Sequence, residues 1–196
     1  MDPRLAPALY ELNRLLAAAA VDLKAQLRFA LLGGLAVSTW GVMRATQDID
    51  FLADSQPSPI GDVALRDKLA KFVEGQNCRA DWHIGDFDDP IPLLLKIELP
   101  AALGSVGADI LWAHKRWHRE AVLRAIDVEL DDTKVPVLNP EDLILMKLDA
   151  GGPQDLLDVE GLLAHPPSQL NLARLKETAT RLRLGKLLEK CFRELK

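Results

Sequence analysis

The length, composition and charge of this chain exclude several classes of protein. Its 196 residues can bury a core, and a composition of 48% hydrophobic and 27% charged residues excludes a disordered or fibrous chain. The net charge of −5 argues against non-specific coating of nucleic acid. There is no apolar run of the roughly 20 residues that a membrane span needs, so no membrane partner is expected. Two distant cysteines without metal-ligand spacing, Cys78 and Cys191, favour a reduced, cytoplasmic protein.

Hydrophobic periodicity and turn residues divide the first half of the chain into alternating helices and strands. Leucines spaced three and four residues apart predict an N-terminal helix with one buried face. Two consecutive glycines predict a tight turn after the first strand. The predicted elements are, in chain order, a helix over residues 5–27, a strand over 28–32, a helix over 35–40, a strand that carries Asp48 and Asp50, and a helix that Asp62 caps and Gly75 ends.

The second half of the chain is predicted to contain strands first and helices afterwards. The predicted elements are strands over 79–84, 93–99 and 105–112, a helix over 117–124, two strands within 126–138, and helices over 140–150, 153–164 and 168–196, the last interrupted at Gly185. Because strands dominate the middle of the chain and helices its end, we predict an α+β fold with a helical C-terminal part.

Two acidic residues, Asp48 and Asp50, are separated by one apolar residue on a predicted strand. Residues i and i+2 of a strand project from the same face, so the two carboxylates are expected to lie side by side. Carboxylates this close raise each other's proton affinity unless a divalent cation lies between them. The pair therefore predicts a metal site.

The order of the motifs resembles a known family. A Gly-Gly turn, an Asp-apolar-Asp pair on the next strand and a lone Asp109 on a later strand resemble the polymerase-beta-type nucleotidyltransferase superfamily. Within it, the segment 138–163 is similar to the minimal bacterial nucleotidyltransferases of the AbiEii-like toxin group. In that group a lysine precedes an Asp-x-x-Asp motif, which corresponds here to Lys147, Asp155 and Asp158. The resemblance covers about residues 28–165.

The resemblance implies an enzyme that transfers NMP from an NTP to an acceptor hydroxyl with the help of two Mg²⁺ ions. It implies a mixed β-sheet nucleotidyltransferase core flanked by helices over residues 1–139, and a helical part over 140–196 that packs on this core. The implied catalytic residues are Asp48, Asp50, Asp109 and Lys147, of which the three aspartates would hold the metal ions. The implied nucleotide-binding residues are Gly33, Gly34, Ser38, Lys147, Asp155 and Asp158.

The acceptor stays open at this point. The segment 174–196 carries eight basic and three acidic residues, which would suit an RNA 3′ end such as that of tRNA, with the enzyme acting as a toxin beside a cognate antitoxin. A solvated helix face is the more common meaning of such a charge run. A small-molecule acceptor, as in antibiotic nucleotidyltransferases, is the second interpretation. The remainder of the chain has a net charge of −10, which would suit a cationic acceptor. A non-catalytic module that binds nucleotide or protein is the third.

Other residue types predict no chemistry of their own. The four histidines (His83, His114, His118 and His165) lack a zinc-binding spacing, and the tryptophans are expected to be core or rim residues. There is no Gly-x-Gly-x-x-Gly and no Gly-Lys-Ser/Thr motif, which excludes a dinucleotide-binding or P-loop signature. Lys147 also has a structural interpretation, as a lysine that extends from a buried helix stripe to solvent.

Overall fold

A computed structural model of the chain describes residues 2–23, 26–56, 63–85, 92–100, 104–130 and 133–195. The helices in these ranges are α1 (Leu5–Asp22), α2 (Gly33–Thr39), α3 (Val63–Glu74), α4 (Arg116–Leu123), α5 (Pro140–Ala150), α6 (Pro153–Ala164), α7 (Leu172–Arg181) and α8 (Gly185–Glu194). The strands are β1 (Gln26–Leu32), β2 (Ile49–Gln56), β3 (Arg79–Ile84), β4 (Leu93–Leu99), β5 (Val106–Trp112), β6 (Ile126–Leu130) and β7 (Thr133–Val137).

The strands form one mixed sheet in the order β3-β4-β5-β2-β1-β7-β6. In it β2 pairs antiparallel with β1 and parallel with β5, while β4 pairs antiparallel with both β3 and β5. Strand β2 therefore lies at the centre, between the strand that precedes the Gly-Gly turn and the strand that carries Asp109. The predicted α+β fold with a mixed sheet flanked by helices is confirmed.

The two faces of the central strands differ because their residues alternate. Phe51 of β2, Ile110 of β5 and Leu95 of β4 are paired in register and are fully buried on one face. Helix α3 packs on that face, where the Trp82 indole N–H donates to the Arg66 carbonyl at 3.2 Å. The opposite face of the same strands carries the acidic residues and is covered by α4 and α5.

The two helices that follow the sheet begin and end at residues suited to those positions. The Asn139 side chain accepts a hydrogen bond from the Asp142 N–H at the start of α5, and Pro140 occupies the first turn. Gly151 ends α5 in the left-handed conformation, with φ +66°. Pro153 then opens α6, so the two helices are joined by a sharp turn. Lys147 of α5 and Asp155 and Asp158 of α6 meet across this turn.

Several predicted boundaries are wrong. Helix α1 ends at Asp22 rather than residue 27, because β1 pairs with β2 from Gln26 onward. Helix α2 begins at Gly33 rather than residue 35, and Asp48 precedes β2 instead of lying on it.

At the C-terminus, α7 begins at Leu172 rather than at residue 168. The Asn171 side chain caps this helix by accepting a hydrogen bond from the Arg174 N–H. Asp62, predicted to cap α3, lies outside the described residues. None of the described helices combines the length and the apolar character that crossing a lipid bilayer requires.

Candidate functional site

Two of the predicted acids lie on adjacent strands at the same level of the sheet. Asp50 of β2 pairs in register with Asp109 of β5, and Asp109 pairs on its other side with Lys96 of β4. Side chains at paired positions of neighbouring strands have Cβ atoms about 5 Å apart, so the two carboxylates share one stretch of surface. Asp48 is the residue two positions before Asp50.

The charges of these acids act on one another. Burial raises the pKa of the Asp50 carboxyl to about 6, and the negative charges of Asp109 and Asp48 contribute to this rise. The positive charge of Lys147 opposes it. Burial also raises the pKa of Asp109, which Lys96 opposes and Asp48 reinforces. The three carboxylates therefore form one electrostatically coupled group.

Two glycines leave the space that these carboxylates occupy. A Cβ atom added to Gly33 would overlap the Asp50 carboxylate, and Gly33 has the left-handed φ of +67°. A Cβ atom added to Gly107 of β5 would lie 2.9 Å from Asp48 Oδ1. Gly34, in contrast, faces Thr46: a Cβ atom added to Gly34 would lie 2.9 Å from the Thr46 Cβ. The sequence analysis did not predict a role for Gly107. Gly107 precedes Asp109 by two positions, just as Asp48 precedes Asp50.

Replacing Gly33 with alanine is expected to damage both the fold and the site. The alanine would have to adopt a positive φ and would displace the Asp50 carboxylate, so we expect an unfolding free energy lower by about 2–4 kcal/mol. Gly41→Ala is the matched control, because Gly41 has φ +99° but nothing within 4 Å of a built Cβ. Urea unfolding of both variants measures the difference. Equal losses would show that backbone conformation alone, and not the carboxylate, requires Gly33.

Lys147 lies in a buried ion network rather than free in solvent. It is 8% exposed, and its Nζ lies 2.7 Å from Asp155 Oδ1 and 3.0 Å from Asp158 Oδ2. Asp158, only 3% exposed, also contacts Arg44 NH1 at 2.7 Å and accepts a hydrogen bond from Gln154 Nε2 at 3.1 Å. The network ties α5 and α6 to the segment between α2 and β2. It thereby places the Lys147 charge near Asp50.

Ser38 is not brought to the acids. Its hydroxyl donates to the Arg44 carbonyl at 3.4 Å, and its side chain lines a separate cavity with Leu5 and Leu9 of α1 and Glu129 of β6. The position of Ser38 near the end of α2 explains this, because the helix carries the residue away from the turn at Gly33.

A cleft of about 410 Å³ lies over the acidic face of the sheet. Asp50, Asp109, Gly33, Lys147 and Asp155 line one end of it. The remaining lining residues are Leu32, Leu52, Pro92, Leu94, Leu111, Trp112, His114, His118, Leu143, Met146, Asp149 and Ala150. The cleft therefore extends from the carboxylates along β2 and β5 into a largely apolar region between the sheet, α4 and α5.

The sequence prediction missed the histidines of this cleft. His114 precedes α4 and His118 lies in its first turn, and their rings meet edge to face at 4.8 Å between centroids. A signal was present in the spacing of four residues between them, directly after the strand that carries Asp109. Trp112, at the end of that strand, also lines the cleft.

The fit of these residues to a metal ion has one supporting and one opposing observation. Carboxylate oxygens are the ligands that Mg²⁺ takes, and the glycines at 33 and 107 leave room for two of the carboxylates. However, no group of three His, Cys, Asp or Glu side chains within the described ranges is arranged to hold a metal ion. Rotations about side-chain bonds can move carboxylates on adjacent strands toward a cation, so the backbone positions of Asp50 and Asp109 fit a metal ion.

Comparison with known families identifies the chain. Residues 9–184 match the model of the family described as nucleotidyltransferase of unknown function (DUF6036). The chain belongs to this family. The superfamily resemblance and the prediction of an enzyme are thereby confirmed, whereas the AbiEii-like group is not what the family model names. No curated protein sequence matches the chain significantly.

The chain is also remotely similar to solved structures. The sequence is 19% identical to that of the antibiotic-resistance factor ANT(2'')-Ia, which has a solution structure. The alignment covers 96% of this chain and 93% of that chain, with a TM-score of 0.45. The crystal structure of ANT(2")-Ia in complex with adenylyl-2"-tobramycin is 16% identical, with 95% and 98% covered and a TM-score of 0.43.

An antigenic nucleotidyltransferase-like protein from Paracoccidioides brasiliensis is 16% identical, with 92% and 91% covered and a TM-score of 0.49. At these identities none of the solved structures assigns a substrate to this chain.

Proposed function

We propose that the chain transfers NMP from an NTP to an acceptor hydroxyl in the cleft that Asp50 and Asp109 line. The observation that carries this proposal is the register of the central strands, which pairs Asp50 with Asp109 in a chain of a nucleotidyltransferase family. Asp48 joins them through its effect on the pKa of both. Three mutually repelling carboxylates lower the stability of a fold unless they serve a ligand, which argues against a non-catalytic module.

In the proposed reaction the acceptor oxygen forms a bond to the α-phosphorus while the bond from that phosphorus to the bridging oxygen breaks and pyrophosphate leaves. Asp48, Asp50 and Asp109 would hold two Mg²⁺ ions, which would supply positive charge to the phosphate oxygens and to the acceptor oxygen. Asp109 would orient the acceptor hydroxyl and accept its proton. Gly33, without a side chain, leaves the space that the Asp50 carboxylate occupies at the wall of the cleft.

Lys147 would bring positive charge to a phosphate. An ammonium group has three donors, and the contacts to Asp155 and Asp158 account for two of them. The third would remain for a phosphate oxygen. In this proposal Asp155 and Asp158 hold Lys147 in place and do not contact the nucleotide sugar or the acceptor.

For the acceptor we propose an RNA 3′ end, and the support for it is the charge of the C-terminal helices. Lys186 and Arg193 lie at exposed positions of α8, and the tail 174–196 has five more basic than acidic residues. A toxin of the AbiEii-like type with a cognate antitoxin, and a cytoplasmic location, would follow from this acceptor. A small cationic molecule is the alternative that the acidic remainder of the chain favours.

The proposed function is tested by incubating the protein with Mg²⁺, each α-labelled NTP in turn, and either total RNA or a panel of small polyols and aminoglycosides. We expect label transfer to one class of acceptor, with loss of transfer when EDTA removes the metal. Calorimetric titration with each NTP serves as a second readout that needs no acceptor. Absence of both label transfer and Mg²⁺-dependent NTP binding would contradict the proposed function.

The response of stability to pH gives an independent test of the metal site. Asp50 binds its proton more tightly in the folded chain (pKa about 6) than at its ordinary pKa of 3.8. The stabilising contribution of that proton is therefore fully present below about pH 4 and is lost as the pH rises through 6. Because a cation binds only the deprotonated carboxylate, we expect Mg²⁺ to raise the Tm more at pH 8 than at pH 5. Thermal unfolding at both pH values, with and without Mg²⁺, measures this, and an equal Mg²⁺ effect would exclude Asp50 as a ligand.

A further inference from the structure

One histidine of the cleft has no partner for either ring nitrogen. His118 is 4% exposed, and neither Nδ1 nor Nε2 has a hydrogen-bond partner among the residues that the structure describes. The nearest carboxylate, that of Asp149, lies 4.0 Å from Nε2, beyond hydrogen-bond distance. Buried polar atoms in native proteins nearly always have partners, since an unpartnered one destabilises the fold. Two such atoms on one side chain that lines a cleft point to a ligand.

The His118 ring is neutral, which restricts what that ligand can be. Burial, together with the charges of His114 and Lys115, lowers its pKa to about 3. A neutral imidazole offers one N–H donor and one nitrogen acceptor. Its preferred partner is therefore a neutral group that both accepts and donates a hydrogen bond.

The surroundings of His118 exclude charged ligands. Leucines at positions 52, 94, 111 and 143 line the cleft between His118 and the carboxylates. The charged groups at this end are already paired with each other, because Lys115 Nζ lies 2.6 Å from Asp149 Oδ2. A phosphate would find no unpaired cation among the described residues here, and an amino sugar would find no unpaired carboxylate.

We propose that this end of the cleft binds a nucleobase, whose edge exchanges hydrogen bonds with His118 while its flat faces lie between the leucines. The inference rests on the proposed function, since the cleft is continuous from His118 to Asp50 and Asp109. A nucleobase is neutral and flat, and it carries adjacent donor and acceptor atoms at its edge. Its source is either the incoming NTP or the terminal nucleotide of an RNA acceptor. In either case His118 is the residue that determines base specificity.

The test compares His118→Phe, which keeps an aromatic ring but removes both hydrogen-bonding atoms, with His118→Gln, which keeps a donor and an acceptor. His165→Phe is the control, because His165 lies after α6 at an exposed position outside the cleft. The affinities of ATP, GTP, CTP and UTP, and of inorganic triphosphate, are measured calorimetrically with Mg²⁺. The affinities of four oligoribonucleotides that differ only in the 3′-terminal base are measured in the same way.

We expect the wild-type protein to prefer one base by about tenfold in one of the two series, the size of one or two lost hydrogen bonds. His118→Phe should abolish that preference without changing the affinity for inorganic triphosphate, and His118→Gln should retain part of it. The series in which the preference appears identifies the source of the base. Unfolding in urea should show His118→Phe to be at least as stable as the wild type, because it removes two unpartnered polar atoms.

Three results would overturn the inference. They are the absence of base preference in both series, a preference that His118→Phe leaves intact, and ring-nitrogen NMR signals of His118 in the wild-type protein that do not move when NTP and oligonucleotide are added. The NMR measurement needs no variant and therefore decides the question even if a substitution prevents folding. Failure of the proposed function itself is distinct, because inorganic triphosphate would then not bind either.

Discussion

Asp50→Asn is expected to reduce nucleotidyl transfer by about 10³-fold while making the metal-free protein more stable. Activity falls because the variant lacks the carboxylate that pairs with Asp109 across β2 and β5. Stability rises at pH 8 because burial and like charges disfavour the ionised Asp50, whose pKa is raised to about 6. After allowance for partial exposure we expect a gain of about 1–2 kcal/mol. The measurements are label transfer and urea unfolding without Mg²⁺.

Asp54→Asn is the matched control for this experiment. Asp54 lies on the same strand, is 5% exposed, and has Arg119 at 3.8 Å as its ion partner, but it does not line the cleft. We expect the Asp54→Asn variant to keep wild-type activity and to have a slightly lower free energy of unfolding. Wild-type activity in Asp50→Asn would exclude the proposed site. Lower stability of that variant would instead show that the carboxylate has a structural role.

Asp158→Ala is expected to lower the free energy of unfolding by about 3–5 kcal/mol. The substitution removes the carboxylate that contacts both Lys147 and Arg44, so two cations lose a buried partner. Activity per folded molecule should also fall, because Lys147 would keep only Asp155 and could leave its place beside Asp50. Urea unfolding and kcat/KM, measured at a temperature where the variant is folded, test the two effects separately.

Asp142→Ala separates the loss of a buried ion pair from the loss of the site. Asp142 is 1% exposed and accepts hydrogen bonds from Arg124 Nε and NH2 at 3.0 and 2.9 Å, outside the cleft. A similar loss of stability is expected, with kcat/KM unchanged. If both variants lose activity equally, the Lys147 network serves the fold alone. In that case Lys147 would not be held for a phosphate.

The sequence predicted well the features that depend on neighbouring residues. The bounds of β3 and β4 agree with prediction to the residue, because alternation and turn residues are local signals. The bounds of α5 and α6 agree for the same reason, since Pro140, Gly151 and Pro153 mark the ends of the helices. The division of the chain at residue 139 stays a prediction.

Features that depend on contacts between distant segments were predicted less well. The assignment of Ser38 to the nucleotide stays a prediction, and in the structure Ser38 lines another cavity. His118 was expected to have no chemistry of its own, because its burial without a hydrogen-bond partner arises only when α4 packs on the sheet. Lys147 was expected to face a phosphate, and Asp155 and Asp158 were expected to bind the nucleotide. The sequence did not show that these two aspartates are the ion partners of Lys147.

By itself, the sequence determined which residues are available for chemistry. It supplied Gly33 before a short helix, Asp48 and Asp50 two residues apart, and Asp109 between apolar neighbours, since spacing along the chain specifies the face on which each side chain lies. Only the tertiary structure decided which of these residues meet. The parallel pairing of β2 with β5 brings Asp50 and Asp109 together across 59 positions of sequence, and the packing of α4 and α5 on that face adds Lys147 and His118. Pairing between strands this far apart is set by the burial of the whole sheet, which no local pattern contains.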